Sequence, residues 1–160
     1  MDAKDRQILS ILQRDARTSV AEIARELGVA PSGVLERMRK LERRGVVRGY
    51  TARIDPDQIG LGLLAYVFVQ VDDRAGEENS GALLAGLSEV QEVHHIAGED
   101  CYLVKVRCAS TAALGRLLQE KFGALASVRR TRTTIVLGTL KESWELPLPE
   151  LEREVSHDVA

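Results

Sequence analysis

Residues 19–50, SVAEIARELGVAPSGVLERMRKLERRGVVRGY, hold two short amphipathic segments separated by a turn of a few residues, and the second is strongly basic. Few folds accommodate that spacing. Ser19 stands before the apolar-periodic positions Val20, Ile23, Ala24 and Leu27, with Glu22 three residues on. This is the pattern of a capping box: the serine oxygen accepts a backbone N–H and the glutamate reaches back to the cap. Gly28 offers a positive-φ residue where that helix must stop. Pro31 suits the first turn of the next helix, where a missing N–H costs nothing. Val34, Leu35, Met38 and Leu41 then recur at helical spacing and predict one buried stripe. Ser32, Gly33, Glu36, Arg37, Arg39, Lys40, Arg43 and Arg44 fall on the other side, and Gly45 ends the helix. Two helices joined by a tight turn, the second basic and facing outward, form a helix-turn-helix pattern. A charge run alone is as often a solvated face. The turn spacing and an expected strand at 46–50, a wing carrying Arg48 toward a backbone with Arg53 beyond, tip the reading to double-stranded DNA.

The rest of the chain sets the frame. Its 160 residues allow one domain or two small ones. No apolar run reaches the roughly 18 residues of a membrane span, and the first residues, MDAKDRQ, contain no apolar signal core. A cytoplasmic protein with no membrane partner is expected. Cys101 and Cys108 are the only cysteines and lack a CxxC spacing, so they read as small apolar residues and not as a zinc site or disulfide framework. No metal or cofactor is expected. Charge divides the chain: residues 1–54 hold twelve Lys or Arg against seven Asp or Glu, and residues 55–160 hold ten against seventeen. Two modules with different partners follow from that asymmetry. We place the first at 1–54, a linker at 55–62 beginning at Asp55-Pro56, the second at 63–142 and a tail at 143–160. Asp5 is the expected cap of a first helix whose apolar positions are Ile8, Leu9, Ile11 and Leu12. A three-helix module of about 50 residues is small for independent stability, so it leans on a neighbour.

The second half predicts strand, helix, strand, strand, helix, strand over 63–71, 79–87, 90–96, 101–106, 111–122 and 128–137. That order is the split βαβ, or ferredoxin-like, arrangement, which makes the chain α+β as a whole. The first of these strands, LLAYVFVQV, is apolar on both faces through residue 69. A sheet with helices on one side and water on the other should alternate. The second cover is expected from another copy of the chain, giving at least a dimer through Leu64, Tyr66 and Phe68 or their alternates.

At this point the chain resembles the Lrp/AsnC, or feast/famine, family of prokaryotic transcription regulators. The resemblance is carried by DRQIL near the start, VLERMRKLERRGVVRGYTARIDP, HHIAGEDCYLVKVR and VRRTRTTIVL, in colinear order over nearly the whole chain. It implies a winged helix-turn-helix followed by a βαββαβ ligand-sensing domain, with dimers assembling further, often to octamers. It also implies a small effector, usually an amino acid, held between the second domains of neighbouring subunits. Two positions depart from the family pattern. Ala30 stands where a capping serine is common, with Ser32 as a partial substitute. The effector-turn pattern Gly-Asp-x-Asp-Tyr appears as Gly98-Glu99-Asp100-Cys101-Tyr102, so effector identity does not carry over.

On this reading Ser32 and Glu36 choose sequence while Arg37 and Lys40 supply affinity, with Gly33 at the groove. Arg43, Arg44, Arg48 and Arg53 are expected at phosphates, which position without specifying. For the effector, the backbone N–H groups at Gly98 suit a carboxylate, Glu99 and Asp100 an ammonium, and Tyr102 closes the side. Thr133 and Thr134 of a neighbouring last strand offer hydroxyls. The two acids favour a neutral or basic amino acid. Taken alone, Gly98-Glu99-Asp100 is also an ordinary hairpin turn. Two other functions share the architecture. Sirohaem decarboxylases resemble it, and one of His94 and His95 would then act as an acid; adjacent strand residues face opposite ways and cannot jointly hold one metal ion. An architectural DNA protein without an effector would use only the first half.

Overall fold

The computed structural model describes residues 1–72 and 79–148. It divides into two units, one of Met1–Ala52 with the described residues from Lys141 on, the other Arg53–Leu140. Residues 149–160 of the expected tail lie outside the described residues.

The first unit contains α1 (Ala3–Arg14), α2 (Val20–Leu27) and α3 (Pro31–Arg43). Its core is Ile8, Leu9, Ile11 and Leu12 of α1, Ile23 and Ala24 of α2, and Val34 and Leu41 of α3. The capping box at Ser19 and Glu22 forms as the sequence reads, and Gly28 closes α2 at φ 63°. Pro31 opens α3, and its cap, Ala30, makes no side-chain bond. Ser32 therefore does not substitute for a capping serine.

Three local expectations are corrected. Asp2, not Asp5, caps α1; Asp5 is the third helical residue and completes a reciprocal capping box with Asp2. The sequence pattern placed the cap too late because both positions carry the same carboxylate. Leu35 is exposed, so the buried stripe of α3 is narrower than its apolar spacing. Among the described residues no strand forms at 46–50. After α3 the chain turns at Gly45, φ 68°, and the N–H groups of Val46 and Val47 donate back to the Leu41 carbonyl. The Tyr50 hydroxyl donates to Glu42 Oε1 at 3.0 Å. These bonds fold the segment against the end of α3, and the first unit offers no described strand to pair with it. Beyond these corrections, residues 144–148 turn back onto α1. Gln13 Nε2 donates to the Leu146 carbonyl and Gln13 Oε1 accepts the Leu146 N–H, while Leu148 packs on the helical core.

The second unit is β1 (Leu63–Val71), α4 (Ser80–Ala85), β2 (Val90–His95), β3 (Tyr102–Cys108), α5 (Thr111–Arg116) and β4 (Val128–Ile135). Residues Leu117–Phe122 continue α5 as a wider π-helical turn. The sheet order is β2-β3-β1-β4, with every neighbouring pair antiparallel. This is the expected α+β, βαββαβ arrangement. Ala65, Val67 and Val69 of β1 and Val104, Val106 and Cys108 of β3 point toward the helices, where Leu84, Leu114, Leu117 and Phe122 meet them. Each fully buried Val, Leu or Phe is worth roughly 1.5–3 kcal/mol relative to exposure. A one-residue slip would turn the whole set of one strand outward, so register is strongly fixed. A hydroxyl pair, buried Ser80 with half-buried Ser127 at 2.5 Å, ties the start of α4 to the approach of β4. Lys121 closes the far end on Glu89 at 2.7 Å.

One prediction follows from the bare cap of α3. Ala30 already holds the extended backbone of a cap, φ −68° and ψ 141°. Ala30→Ser should raise the stability of the first unit by about 1 kcal/mol, because the new hydroxyl can accept a first-turn N–H. Thermal unfolding checks it; an unchanged or lowered midpoint contradicts it.

Candidate DNA interface and effector turn

The outward side of α3 is built by subtraction. Val34 and Leu41 are buried, with Met38 half-buried against the same core. The exposed residues of α3 include Ser32, Glu36, Arg39, Lys40 and Arg43, together with Pro31, Leu35 and Glu42, with Gly33 half-buried and Arg44 exposed just beyond the helix. Lys40 and Arg43 also occupy the last turn of α3, where cations complement the helix dipole. Arg48 is exposed in the turned-back segment. Arg53 falls in the second unit.

Arg37 is placed differently from the other cations. Its Nη1 donates to Asp2 Oδ2 at 2.6 Å and to Asp5 Oδ1 at 2.7 Å. The guanidinium expected to be free for DNA is thus held by two carboxylates of α1. The Asp2 carboxyl lies below the usual carboxylate range, first through the Asp5 backbone N–H and next through Arg37. The Arg37 guanidinium is raised in turn by its bonds to Asp2 and Asp5. No signal in the sequence marks this pairing, since the partners lie more than thirty positions apart.

The residues expected at the effector are only partly gathered within the chain. Gly98, at φ 143°, and Glu99 are exposed at the β2–β3 turn. Asp100 is half-buried and accepts from Arg132 Nη2 at 3.0 Å. Arg132 reaches it across β1, with its guanidinium carbon 4.0 Å from the centre of the Phe68 ring. Asp100 thus already has a cationic partner within the chain. Tyr102 pairs with Val69 in the sheet and so points toward the helices. There its hydroxyl donates to Asn79 Oδ1 at 3.3 Å, and its ring lies 5.3 Å from that of His95. Gly81 permits this approach: a Cβ there would stand 2.8 Å from the Tyr102 ring. Thr133 pairs with Val67 and Thr134 with Tyr66, which puts the two threonines on opposite faces of β4. Sequence reasoning did not find Asn79, Gly81 or Arg132, which become visible only once the strands are in register.

The face of the sheet away from the helices carries Leu64, Tyr66 and Phe68 of β1, Leu103 and Lys105 of β3, Glu92 and His94 of β2, and Arg132 and Thr134 of β4. Lys105 is buried and donates to Glu92 Oε1 at 3.0 Å, and His94 bonds the other oxygen of Glu92 at 3.1 Å. Among the described residues no cluster of His, Cys, Asp and Glu is arranged to hold a metal ion, and no helix is long and apolar enough to cross a membrane. Cys108 is buried in the core and Cys101 is half-buried beside the Val71 carbonyl.

Comparison with known proteins agrees with this geometry at both ends of the chain. Residues 1–42 match the AsnC-type helix-turn-helix domain and residues 64–146 match the Lrp/AsnC ligand binding domain. The leucine-responsive regulatory protein of Salmonella typhimurium is 37% identical over 148 residues, covering 91% of this chain and 90% of that protein. The leucine-responsive regulatory protein of Escherichia coli matches to the same extent, 37% over 148 residues. The feast or famine regulatory protein of M. tuberculosis, solved in complex with L-methionine, superposes with a TM-score of 0.83 at 38% identity, covering 91% of this chain and 97% of that one. A Neisseria meningitidis transcriptional regulator, also solved with L-methionine, superposes with a TM-score of 0.85 at 27% identity, covering 92% and 96%. With a helix-turn-helix whose second helix exposes a basic side and, later in the sequence, a βαββαβ ligand-binding unit, the chain belongs to the Lrp/AsnC family of DNA-binding transcription regulators and is not an enzyme.

Proposed function

We propose that this chain binds double-stranded DNA through the outward side of α3 and that a free amino acid, bound in its second unit, adjusts that binding. The observation that carries the first part is the row of exposed groups on α3. Ser32, Gly33 and Glu36 lie near its N-terminus, where side chains meet major-groove edges. Lys40, Arg43 and Arg44 follow at phosphate-reaching positions, with Arg48 beyond. Such a protein works in the cytoplasm, where its DNA is.

Assembly follows from the sheet face away from the helices. Tyr66, Phe68 and Leu103 are only half-buried there, and a second copy of the same face would cover them. A two-fold dimer would present two α3 helices to half-sites about 34 Å apart or a multiple of it, and the operator would be roughly palindromic. Dimers would assemble further, an octamer being the form the family favours.

The effector reading rests on the Gly98-Glu99-Asp100 turn and on two relatives that were solved with L-methionine. The turn's N–H groups would take the carboxylate, and Glu99 the ammonium. Asp100, bonded to Arg132 within its own subunit, would serve by orienting the turn unless the effector displaces that arginine. Tyr102 would close one side of the site. Thr133 or Thr134 of a neighbouring subunit would add a hydroxyl; because the two face opposite ways, one of them and not both would reach it. An amino acid with a neutral side chain fits best, since Glu99 would repel an acidic one.

Two experiments test these parts separately. Lys40→Ala with Arg43→Ala should weaken binding to a DNA duplex selected by the wild-type protein by at least tenfold. It should also lower the slope of log affinity against log salt by roughly two. Equal affinity for both proteins would reduce α3 to a solvated face. For the effector, calorimetry with L-methionine and L-leucine should give binding to wild type that weakens by at least tenfold in Gly98→Val and in Asp100→Ala. If wild type binds and both variants bind equally well, the pocket lies elsewhere.

A further inference from the structure

The capping box of α1 uses only half of its carboxylate oxygens. Asp2 Oδ1 accepts the Asp5 N–H at 2.9 Å and Asp5 Oδ2 accepts the Asp2 N–H at 3.1 Å. The remaining oxygen of each side chain is taken by one atom of another helix, Arg37 Nη1. Asp5 is 4% exposed, so its charge has little access to water. A buried carboxylate is tolerated only when paired, and Arg37 is its cationic partner. The side chain of Arg37 is itself about one-third exposed, at 34%. It lies one helical turn before Lys40 and one residue after Glu36 on the basic side of α3. The start of α1 and the middle of the reading helix are thereby joined through a single guanidinium nitrogen.

We infer that Arg37 is a positioning residue: it sets the placement of α3 against α1 through Asp2 and Asp5, and does not neutralise a DNA phosphate. A guanidinium with both carboxylates in place has little net charge to offer. Moving it to a phosphate would leave the buried Asp5 carboxylate without its cation, with the Asp2 N–H still bonded to it. The remaining cations of α3 then carry the DNA contact while Arg37 fixes the angle at which they are presented. The inference deepens the DNA reading above and rests on it.

The consequence has an unusual sign. Removing an acidic side chain from a DNA-binding domain ordinarily tightens binding, because one repulsion of the phosphates is lost. Here Asp5→Asn should weaken it. The asparagine still accepts and donates at the helix start, so α1 keeps its cap while Arg37 loses its buried anchor. Asp2→Asn, a cap as good as aspartate, should have the same sign with a smaller effect, and it protects the test should Asp5→Asn not fold.

The experiment selects a DNA duplex from a random pool with the wild-type protein. It then measures affinity over a salt series for wild type, Arg37→Ala, Asp5→Asn, Asp2→Asn and the Arg37→Ala/Asp5→Asn pair, with thermal midpoints alongside. Failure of the DNA reading appears as a wild type that selects nothing. The clamp is read from the variants, and in the midpoints by the non-additivity of the pair. The expected result is a loss of at least fivefold for Arg37→Ala and for Asp5→Asn, with the salt slope unchanged and the pair no weaker than the worse single variant. A slope lowered by about one in Arg37→Ala, with Asp5→Asn binding as tightly as wild type or tighter, would make Arg37 a phosphate contact and overturn the inference. Lower midpoints with unchanged DNA affinity, or thermal effects that simply add, would overturn it as well.

Discussion

Strand β1 has neighbours on both edges and apolar side chains on both faces, and most of the second unit is arranged around satisfying it. Its backbone is paired on one side by β3 and on the other by β4. Ala65, Val67 and Val69 fill the core under α4 and α5, while Leu64, Tyr66 and Phe68 face the other way. A sheet of four strands cannot wrap around that second apolar face, and the described helices of the second unit pack on the other one. Long charged side chains lie over it instead. The Arg132 guanidinium sits on Phe68 with its charge directed to Asp100, and Lys105 runs to Glu92. Aliphatic stems and a planar guanidinium can cover apolar surface while keeping their charges paired, but they make a thinner roof than a packed sheet.

That arrangement places the Gly98-Glu99-Asp100 turn and the outward sheet face in one network. Asp100 belongs to the turn, Arg132 to the edge strand β4, and Phe68 to β1 between them. A ligand that took Asp100, or displaced Arg132 from it, would uncover or rearrange Phe68 on the face proposed for subunit contact. The same economy of polar partners is visible in the first unit, where the carboxylates that cap α1 also engage Arg37. In both units one charged side chain serves two ends. A change at either end is then felt at the other.

How much of this was legible in the sequence depended on the range of the interaction. The Ser19–Glu22 box, the Gly28 stop and Pro31 at the start of α3 are local, and each reads directly from residue chemistry at fixed spacing. The βαββαβ order reads from periodicity because its strands and helices change period cleanly. The strand expected at 46–50 did not form. Its apolar and β-branched residues satisfy the pattern, but a strand needs a partner, and the backbone bonds to Leu41 with the Tyr50–Glu42 contact take its place. The clamp on Arg37 and the bond from Arg132 to Asp100 were illegible, since each joins residues brought together only by packing. The split of Thr133 from Thr134 needed the strand's position in the sheet to show which face each takes. The Gly98 turn was legible as a turn, and its use was suggested by resemblance and not by its own residues.

The account depends most on the claim that the outward face of β1 is covered by a second copy of the chain. It is tested most directly by light scattering coupled to size exclusion on the full chain at micromolar concentration. The account predicts a mass of at least two chains of 17.6 kDa each, held on dilution to low micromolar. A single species at 17.6 kDa under those conditions would leave Tyr66 and Phe68 facing water and contradict it.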